Sequence, residues 1–209
     1  MAKRTATKRK AAEAAEVAMK RSKGETNLFG LQWYEHGEPL SKGVIPLVYL
    51  SGDKLPGCSK MAAFDMDSTL INVKSGAKFA QSMFFSDYFF YWTIHSCDID
   101  AADWVWWHTI VPKKLAELHN DGFRLIIFTN QAGIEKGHTK LDDIKRKCEK
   151  LIQEVNAPIY VFIATGESHF RKPSTAMFDF FVENCNQNVA VSDSFVVHEN
   201  FLNDVWIDR

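Results

Sequence analysis

Residues 61–69 read Met61-Ala62-Ala63-Phe64-Asp65-Met66-Asp67-Ser68-Thr69, four apolar residues running straight into two aspartates one residue apart. A short apolar run bounded by polar turn residues is the pattern of a buried strand. Two later segments repeat it. Residues 124–128 lead into Thr129-Asn130-Gln131, and residues 159–164 lead on to Arg171-Lys172-Pro173. Stretches of helical period lie between them. Residues 111–120 place Leu115 and Leu118 behind a Pro112 start, and Asp121-Gly122 end the helix. Residues 141–155 gather Leu141, Ile144, Cys148, Leu151, Ile152 and Val155 on one side. Residues 175–184 predict another helix, and residues 189–191 begin a further strand. Residues 44–50 predict a strand with Gly52-Asp53 as its turn. Strand and helix alternate, which predicts an α/β fold with a mostly parallel sheet and helices on both faces.

Composition narrows the functional classes. The chain has 209 residues, enough for one domain with a real core. Its formal net charge is -1, so any nucleic-acid binding must come from a local patch. Cys58, Cys97, Cys148 and Cys185 are far apart and form no C-x-x-C pair. That argues against a disulfide framework or a zinc finger and fits a reducing compartment. The N-terminus is basic and lacks the apolar segment of a secretory signal. The most hydrophobic stretch, residues 83–94, is interrupted by Ser86 and Asp87. It is shorter than the roughly 20 residues a membrane helix needs, so no membrane association is expected.

Residues 1–25 read as a disordered basic tail, with Lys3-Arg4, Lys8-Arg9-Lys10 and Lys20-Arg21-Ser22-Lys23 around an alanine-rich spacer. Two basic clusters and a spacer suit a bipartite nuclear-import signal, or a solvated arm that touches DNA nonspecifically. Residues 26–209 are expected to form the catalytic domain.

In an open parallel sheet, ligands bind beyond the carboxyl ends of the strands. Asp65-Asp67, Thr129-Asn130-Gln131 and Arg171-Lys172-Pro173 all fall there. Together they suit phosphoryl transfer. Asp65 is the candidate nucleophile, forming an aspartyl-phosphate. Asp67, two residues on, can protonate the leaving oxygen and later take a proton from water. Two anions beside a phosphate need a cation, and Mg2+ held by Asp65 and the carbonyl of Asp67 supplies it. The Thr129 hydroxyl and nearby N–H groups can hold phosphate oxygens, and Lys172 adds fixed positive charge.

The residues 64–71, Phe-Asp-Met-Asp-Ser-Thr-Leu-Ile, resemble the first motif of the haloacid dehalogenase superfamily. The residues 127–134, Ile-Phe-Thr-Asn-Gln-Ala-Gly-Ile, resemble the second motif of one branch. Within it, the chain is similar to the phosphatase domain of the polynucleotide kinase 3′-phosphatases. Lys74-Ser75-Gly76 with Phe79, Asp103-Trp104, Lys136-Gly137-His138 and Arg171-Lys172-Pro173 with Met177 extend the likeness over residues 44–197. The resemblance implies a three-layer, Rossmann-like haloacid dehalogenase fold. It also implies a Mg2+-dependent polynucleotide 3′-phosphatase, acting in DNA repair in the nucleus. Its roles carry over to Asp65, Asp67, Thr129 and Lys172. Ser68, Asn130, Lys136, His138 and Arg171 would then meet the substrate, a single-stranded or frayed DNA 3′ end. The expected molecule is a monomer whose partners, besides DNA ends, are DNA-repair proteins.

Three departures from the family stand out. There is no G-x-x-x-x-G-K-[ST] segment, so no 5′-kinase activity is expected. Gly52 and Gly57 imitate its spacing, but Cys58 stands where lysine is required. Residues 81–99 read as an insertion rich in aromatic side chains. It is a lid or base-stacking surface, a partner-binding patch or, the preferred reading, a retained intron or alternative exon. Finally, residues 192–197 lead into the fourth motif, but residues 198–209 diverge and the fold is expected to be incomplete at its C-terminus. Glu199 takes the place of the motif's Mg2+-binding aspartate, and its added methylene displaces the carboxylate. Two other readings therefore stand beside the leading one. One is a catalytically impaired isoform that binds DNA ends or repair partners. The other is a small-molecule phosphatase of the same superfamily, although the zinc-binding loop of such enzymes has no counterpart here.

Overall fold

The structure, a computed structural model, describes residues 20–21, 28–52, 55–74, 103–187 and 189–197. Insertion residues 81–99, residues 198–209 with Glu199, and most of the basic tail lie outside the described residues.

Among the described residues, nine strands form two sheets. The large sheet contains β1 (Lys20–Arg21), β2 (Gln32–His36), β3 (Leu47–Ser51), β4 (Lys60–Phe64), β7 (Arg124–Asn130), β8 (Ile159–Ala164) and β9 (Asp193–Val197). Its spatial order is β1-β2-β3-β8-β7-β4-β9. The small sheet is an antiparallel pair, β5 (Ile71–Asn72) with β6 (Val105–Trp106). The helices are α1 (Val111–Asn120), α2 (Gly133–Lys136), α3 (Leu141–Val155) and α4 (Ala176–Phe180), the last continuing as a π-helix over Phe181–Cys185.

The order follows from the apolar runs. β7 and β8 are buried along nearly their whole length, and helices between parallel strands force crossovers that cover both faces. β8, β7, β4 and β9 are mutually parallel, whereas β3, β2 and β1 extend the sheet antiparallel. Leu115 of α1 and Ile144, Cys148, Leu151 and Ile152 of α3 join the buried core. On the other face, Tyr34, Tyr49, Phe162 and Phe128 stand in register across four strands. Tyr34 stacks on Tyr49, Tyr49 on Phe162, and Phe162 meets Phe128 at 5.3 Å between ring centroids. Phe180 packs on Tyr49, and Phe181 on Phe162 and Tyr160. The result is the expected three-layer α/β architecture.

Some boundaries differ from the sequence reading. The helix expected over 175–184 divides into α4 and a π-helical turn. Phe180 and Phe181 are adjacent in sequence, yet both are buried against the sheet. A wider turn lets consecutive large side chains share one face. The strand expected from 189 starts at Asp193 instead, because Asn186 holds the intervening chain in a turn through Val189. Lys20 and Arg21, placed in the unstructured tail by composition, pair with Glu35 and Tyr34. Main-chain bonding to the edge of β2 orders that backbone whatever its side chains.

Candidate active site

Strand register brings the candidate residues to one edge. Phe64 lies opposite Ile127 on β7 and opposite Val197 on β9, while Asn130 lies opposite Ala164 on β8. The chain therefore leaves β4, β7 and β8 on the same side of the sheet, the carboxyl edge. Asp65 follows β4 directly, and its N–H donates to the carbonyl of Val197 at 3.0 Å. The turn after it is compact. Ser68 takes a left-handed φ of 60°, and its N–H donates to Ile71 O at 2.8 Å. That turn folds β5 back beside Asp67.

Lys172 is the central cation. Its Nζ lies 2.8 Å from Asp65 Oδ1 and donates to Phe128 O at 2.8 Å. The Met66 N–H also donates to Asp65 Oδ1 at 2.8 Å. Both contacts fall on one carboxylate oxygen, which orients Oδ2 away from them. Lys172 is itself held by Asn130. The Asn130 side-chain amide donates to Lys172 O at 3.2 Å, and its Oδ1 accepts the Lys172 N–H at 3.0 Å. Asn130, expected to meet substrate, uses its amide on both main-chain groups of Lys172, because the last residue of β7 faces the loop that follows β8.

Gln131 joins the second acid to the second strand. Its Nε2 donates to Asp67 Oδ2 at 2.7 Å and to Thr129 Oγ1 at 2.9 Å. The sequence reading placed Gln131 in the right segment but assigned it no role. Thr129 is buried, with 1% of its surface exposed, so its hydroxyl sits at the base of the group. Asp67 retains open surface, but its carboxylate is crowded by protein on the inner side. Loss of hydration raises its pKa above the usual carboxylate value. The Lys147 charge, the Gln131 hydrogen bond and the Lys172 charge oppose the rise, while Asp65 adds to it.

The loops are tied to one another. Gln131 N–H donates to Ala164 O at 2.7 Å, and Glu135 N–H to Thr165 O at 3.1 Å. Glu135 Oε2 accepts the Glu167 N–H at 2.9 Å. The Lys172 loop is thus fastened to the start of α2. Arg171 forms an ion pair with Glu167 at 3.3 Å, and both residues keep exposed surface. Lys136 and His138 are exposed at the end of α2, beside the left-handed turn at Gly137. Ser68 is exposed next to Asp67.

The donor set at this edge fits Mg2+. Asp65 offers a carboxylate, and Asp67 offers a main-chain carbonyl on the same turn. Hard oxygen donors, with few protein ligands and room for water and phosphate, suit Mg2+. Among the described residues no group of three or more His, Cys, Asp or Glu gathers as a metal cage. Lys172 and the Met66 N–H both engage Asp65 Oδ1, which leaves Oδ2 open toward the site. Among the described residues, no helix is long and apolar enough to cross a membrane.

Comparison with known proteins adds a family. The sequence model described as "Polynucleotide kinase 3 phosphatase" matches residues 60–200. The chain is 34% identical over 139 residues to "Bifunctional polynucleotide phosphatase/kinase" of Schizosaccharomyces pombe, covering 66% of this chain and 30% of that protein. It is 27% identical over 168 residues to "Polynucleotide 3'-phosphatase ZDP" of Arabidopsis thaliana, covering 73% of this chain and 21% of the relative. The chain thus spans less than a third of the length of either relative. Among solved structures, a protein described as a HAD-like phosphatase from Mesorhizobium loti superposes with a TM-score of 0.50 at 14% identity. That match covers 86% of this chain and 73% of the other, and it shows the shared haloacid dehalogenase-like fold.

Proposed function

The chain belongs to the polynucleotide kinase 3 phosphatase family, and from that premise we propose that it removes the 3′-phosphate from DNA strand-break ends. The observation that carries the reading is the pairing of two acids with two different partners. Lys172 engages Asp65, and Gln131 engages Asp67, at one edge of the sheet. Equivalent carboxylates could not divide nucleophilic and acid–base work; differently held ones can.

In the proposed reaction, Asp65 Oδ2 attacks phosphorus and the bond from phosphorus to O3′ breaks. The departing O3′ takes the proton of Asp67, leaving a phospho-aspartate at Asp65 and a 3′-hydroxyl. The Asp67 carboxylate then accepts a proton from water. The water oxygen attacks phosphorus, the acyl phosphate bond breaks, and inorganic phosphate leaves with Asp65 restored. The raised pKa of Asp67 supports its role as acid, since it keeps the proton to higher pH than an ordinary carboxyl. Lys172 offsets negative charge at the nucleophile, and the Thr129 hydroxyl bonds a phosphate oxygen. Asp65 and the Asp67 carbonyl, with Glu199 outside the described residues, would hold Mg2+, which supplies charge neutralisation to the phosphate when bound. Ser68, Lys136, His138 and Arg171 line the approach of a single-stranded 3′ end. The proposed setting is nuclear DNA repair, supported by the basic clusters of the N-terminal segment.

The test compares the parent chain with Asp65→Asn on a 3′-phosphorylated oligonucleotide with Mg2+. The parent is expected to release phosphate, and the variant to be slower by on the order of 10⁴-fold or more. Equal release by both would overturn the assignment. Tight binding of the oligonucleotide without turnover in the parent would favour an end-binding role, as the Glu199 substitution allows.

A further inference from the structure

Arg171 precedes the lysine that meets the nucleophile, yet its charge is already engaged. Its Nε lies 3.3 Å from the Glu167 carboxylate. The two side chains are 35% and 61% exposed, and an ion pair that wet contributes little to stability. Among the described residues the Glu167 carboxylate meets no other cation. Its one contact is with the arginine beside the reacting group.

Main-chain bonds fix both ends of the pair. The Arg171 N–H donates to Ser168 O at 3.1 Å, which closes the turn between the two residues. Lys172, the next residue, is clamped at its N–H and carbonyl by Asn130. Glu135 fixes Glu167 from the other side. Its Oε2 accepts the Glu167 N–H at 2.9 Å, and its Oε1 accepts the Ser41 hydroxyl at 3.3 Å. The Glu135 side chain lies over Gly166, where an added Cβ would stand 2.9 Å from Glu135 Cβ and 2.7 Å from Leu40 Cδ1. Only a glycine lets the turn come so close.

An unpaired arginine at this edge would attract any phosphate. A carboxylate held against it sets a threshold, because a ligand must bring an anion that displaces Glu167 before Arg171 contributes. An ester with one phosphate has none to spare, since that phosphate belongs at Asp65 and Lys172. A nucleic-acid strand carries a further phosphate one nucleotide back from its 3′ end, and phosphate oxygens match the guanidinium fork.

We propose that Glu167 is a specificity-determining residue, its carboxylate keeping Arg171 neutralised until an internucleotide phosphate of the substrate strand displaces it. The inference rests on the polynucleotide 3′-phosphatase reading and deepens it by naming the second anion the site takes. In the exchange Arg171 passes from a carboxylate to a phosphodiester, and the Glu167 carboxylate turns to water. Run backwards, the same exchange frees the 3′-hydroxyl product as Glu167 reclaims Arg171.

Glu167→Gln keeps the size of the side chain and the N–H bonded to Glu135, and it removes the charge. KM is measured on a 3′-phosphorylated oligonucleotide and on a nucleoside 3′-monophosphate for the parent, Glu167→Gln, Arg171→Gln and the double variant. Fluorescence anisotropy with a 3′-hydroxyl oligonucleotide gives a Kd that needs no turnover. Glu167→Gln is expected to lower the oligonucleotide KM and Kd about three- to fivefold and to leave the mononucleotide within about twofold. The gain is expected to fade at high salt. Arg171→Gln is expected to weaken oligonucleotide binding about tenfold, and adding Glu167→Gln to it should change binding less than about twofold. Parent-like oligonucleotide binding in Glu167→Gln, an equal gain for the mononucleotide, or the same gain in the Arg171→Gln background would overturn the proposal. The two levels of inference fail separately. If the parent releases no phosphate but Glu167→Gln tightens the strand through Arg171, the phosphatase reading fails and the role of Glu167 stands. If the parent turns over and Glu167→Gln binds the strand no more tightly, only the role of Glu167 fails.

Discussion

Asp67 is held in a place that serves chemistry at the expense of the fold. Burial raises its pKa, so the folded chain binds its proton more tightly than the unfolded chain does. Below the ordinary value of 3.8 both states are protonated and nothing is lost. As pH rises from there through the elevated native value, the unfolded carboxyl ionises freely while the native one resists. Stability therefore falls across that interval and stays lower at neutral pH. Asp67→Asn keeps an oxygen to accept from Gln131 and removes the charge. It is expected to raise the denaturation midpoint at pH 7, to leave it nearly unchanged at pH 3, and to abolish turnover. Chemical denaturation at the two pH values checks this, and a variant less stable than the parent at pH 7 would contradict it. At this scale the gathering of Asp65, Asp67, Thr129 and Lys172 at one sheet edge was legible in the sequence, because each lies at or beyond the carboxyl end of an apolar strand. The roles of Asn130 and Gln131 were not. Both depend on which way a side chain leaves the end of β7, and strand register decides that. The burial of Lys147 was hidden too, since a lysine on a helix is ordinarily solvated.

Asn186 organises two strands that share no loop. Its Oδ1 accepts the Cys58 N–H at 2.8 Å, and its Nδ2 donates to Cys58 O at 2.9 Å and Val189 O at 2.7 Å. The side chain is fully buried and joins the approach to β4 with the approach to β9. Gly57 lies close by, where a Cβ would come within 2.5 Å of Asn186 O. Asn186→Ala leaves buried main-chain groups unpaired and is expected to cost about 2–4 kcal/mol, measurable by urea denaturation. A change under about 0.5 kcal/mol would show that water replaces the amide without loss. Helix and strand cores were legible: residues 111–120, 141–155 and 159–164 form the expected elements at the expected bounds. Their period comes from one face packing against one neighbour. The π-helical turn at Phe181–Cys185 and the late start of β9 were not legible. Each results from a tertiary demand, paired phenylalanines in one case and the Asn186 clamp in the other.

At the scale of the whole molecule, the sheet combines a parallel half that carries the site with an antiparallel half that carries aromatic packing. The row from Tyr34 to Phe128 ends at the residue whose carbonyl holds Lys172. The opposite edge is built more lightly. Among the described residues β9 has β4 as its only neighbour, and most of its side chains keep exposed surface. Its last carbonyl, at Val197, accepts the main-chain N–H of Asp65. Edge strands open more readily than central ones. Fraying there would release the backbone of the nucleophile while β4, β7 and β8 stayed paired, an inactivation route shorter than unfolding. In hydrogen-exchange experiments the Asp65 amide is then expected to open together with β9 rather than with β7. On heating, catalysis would fade before the circular dichroism of the sheet reports melting.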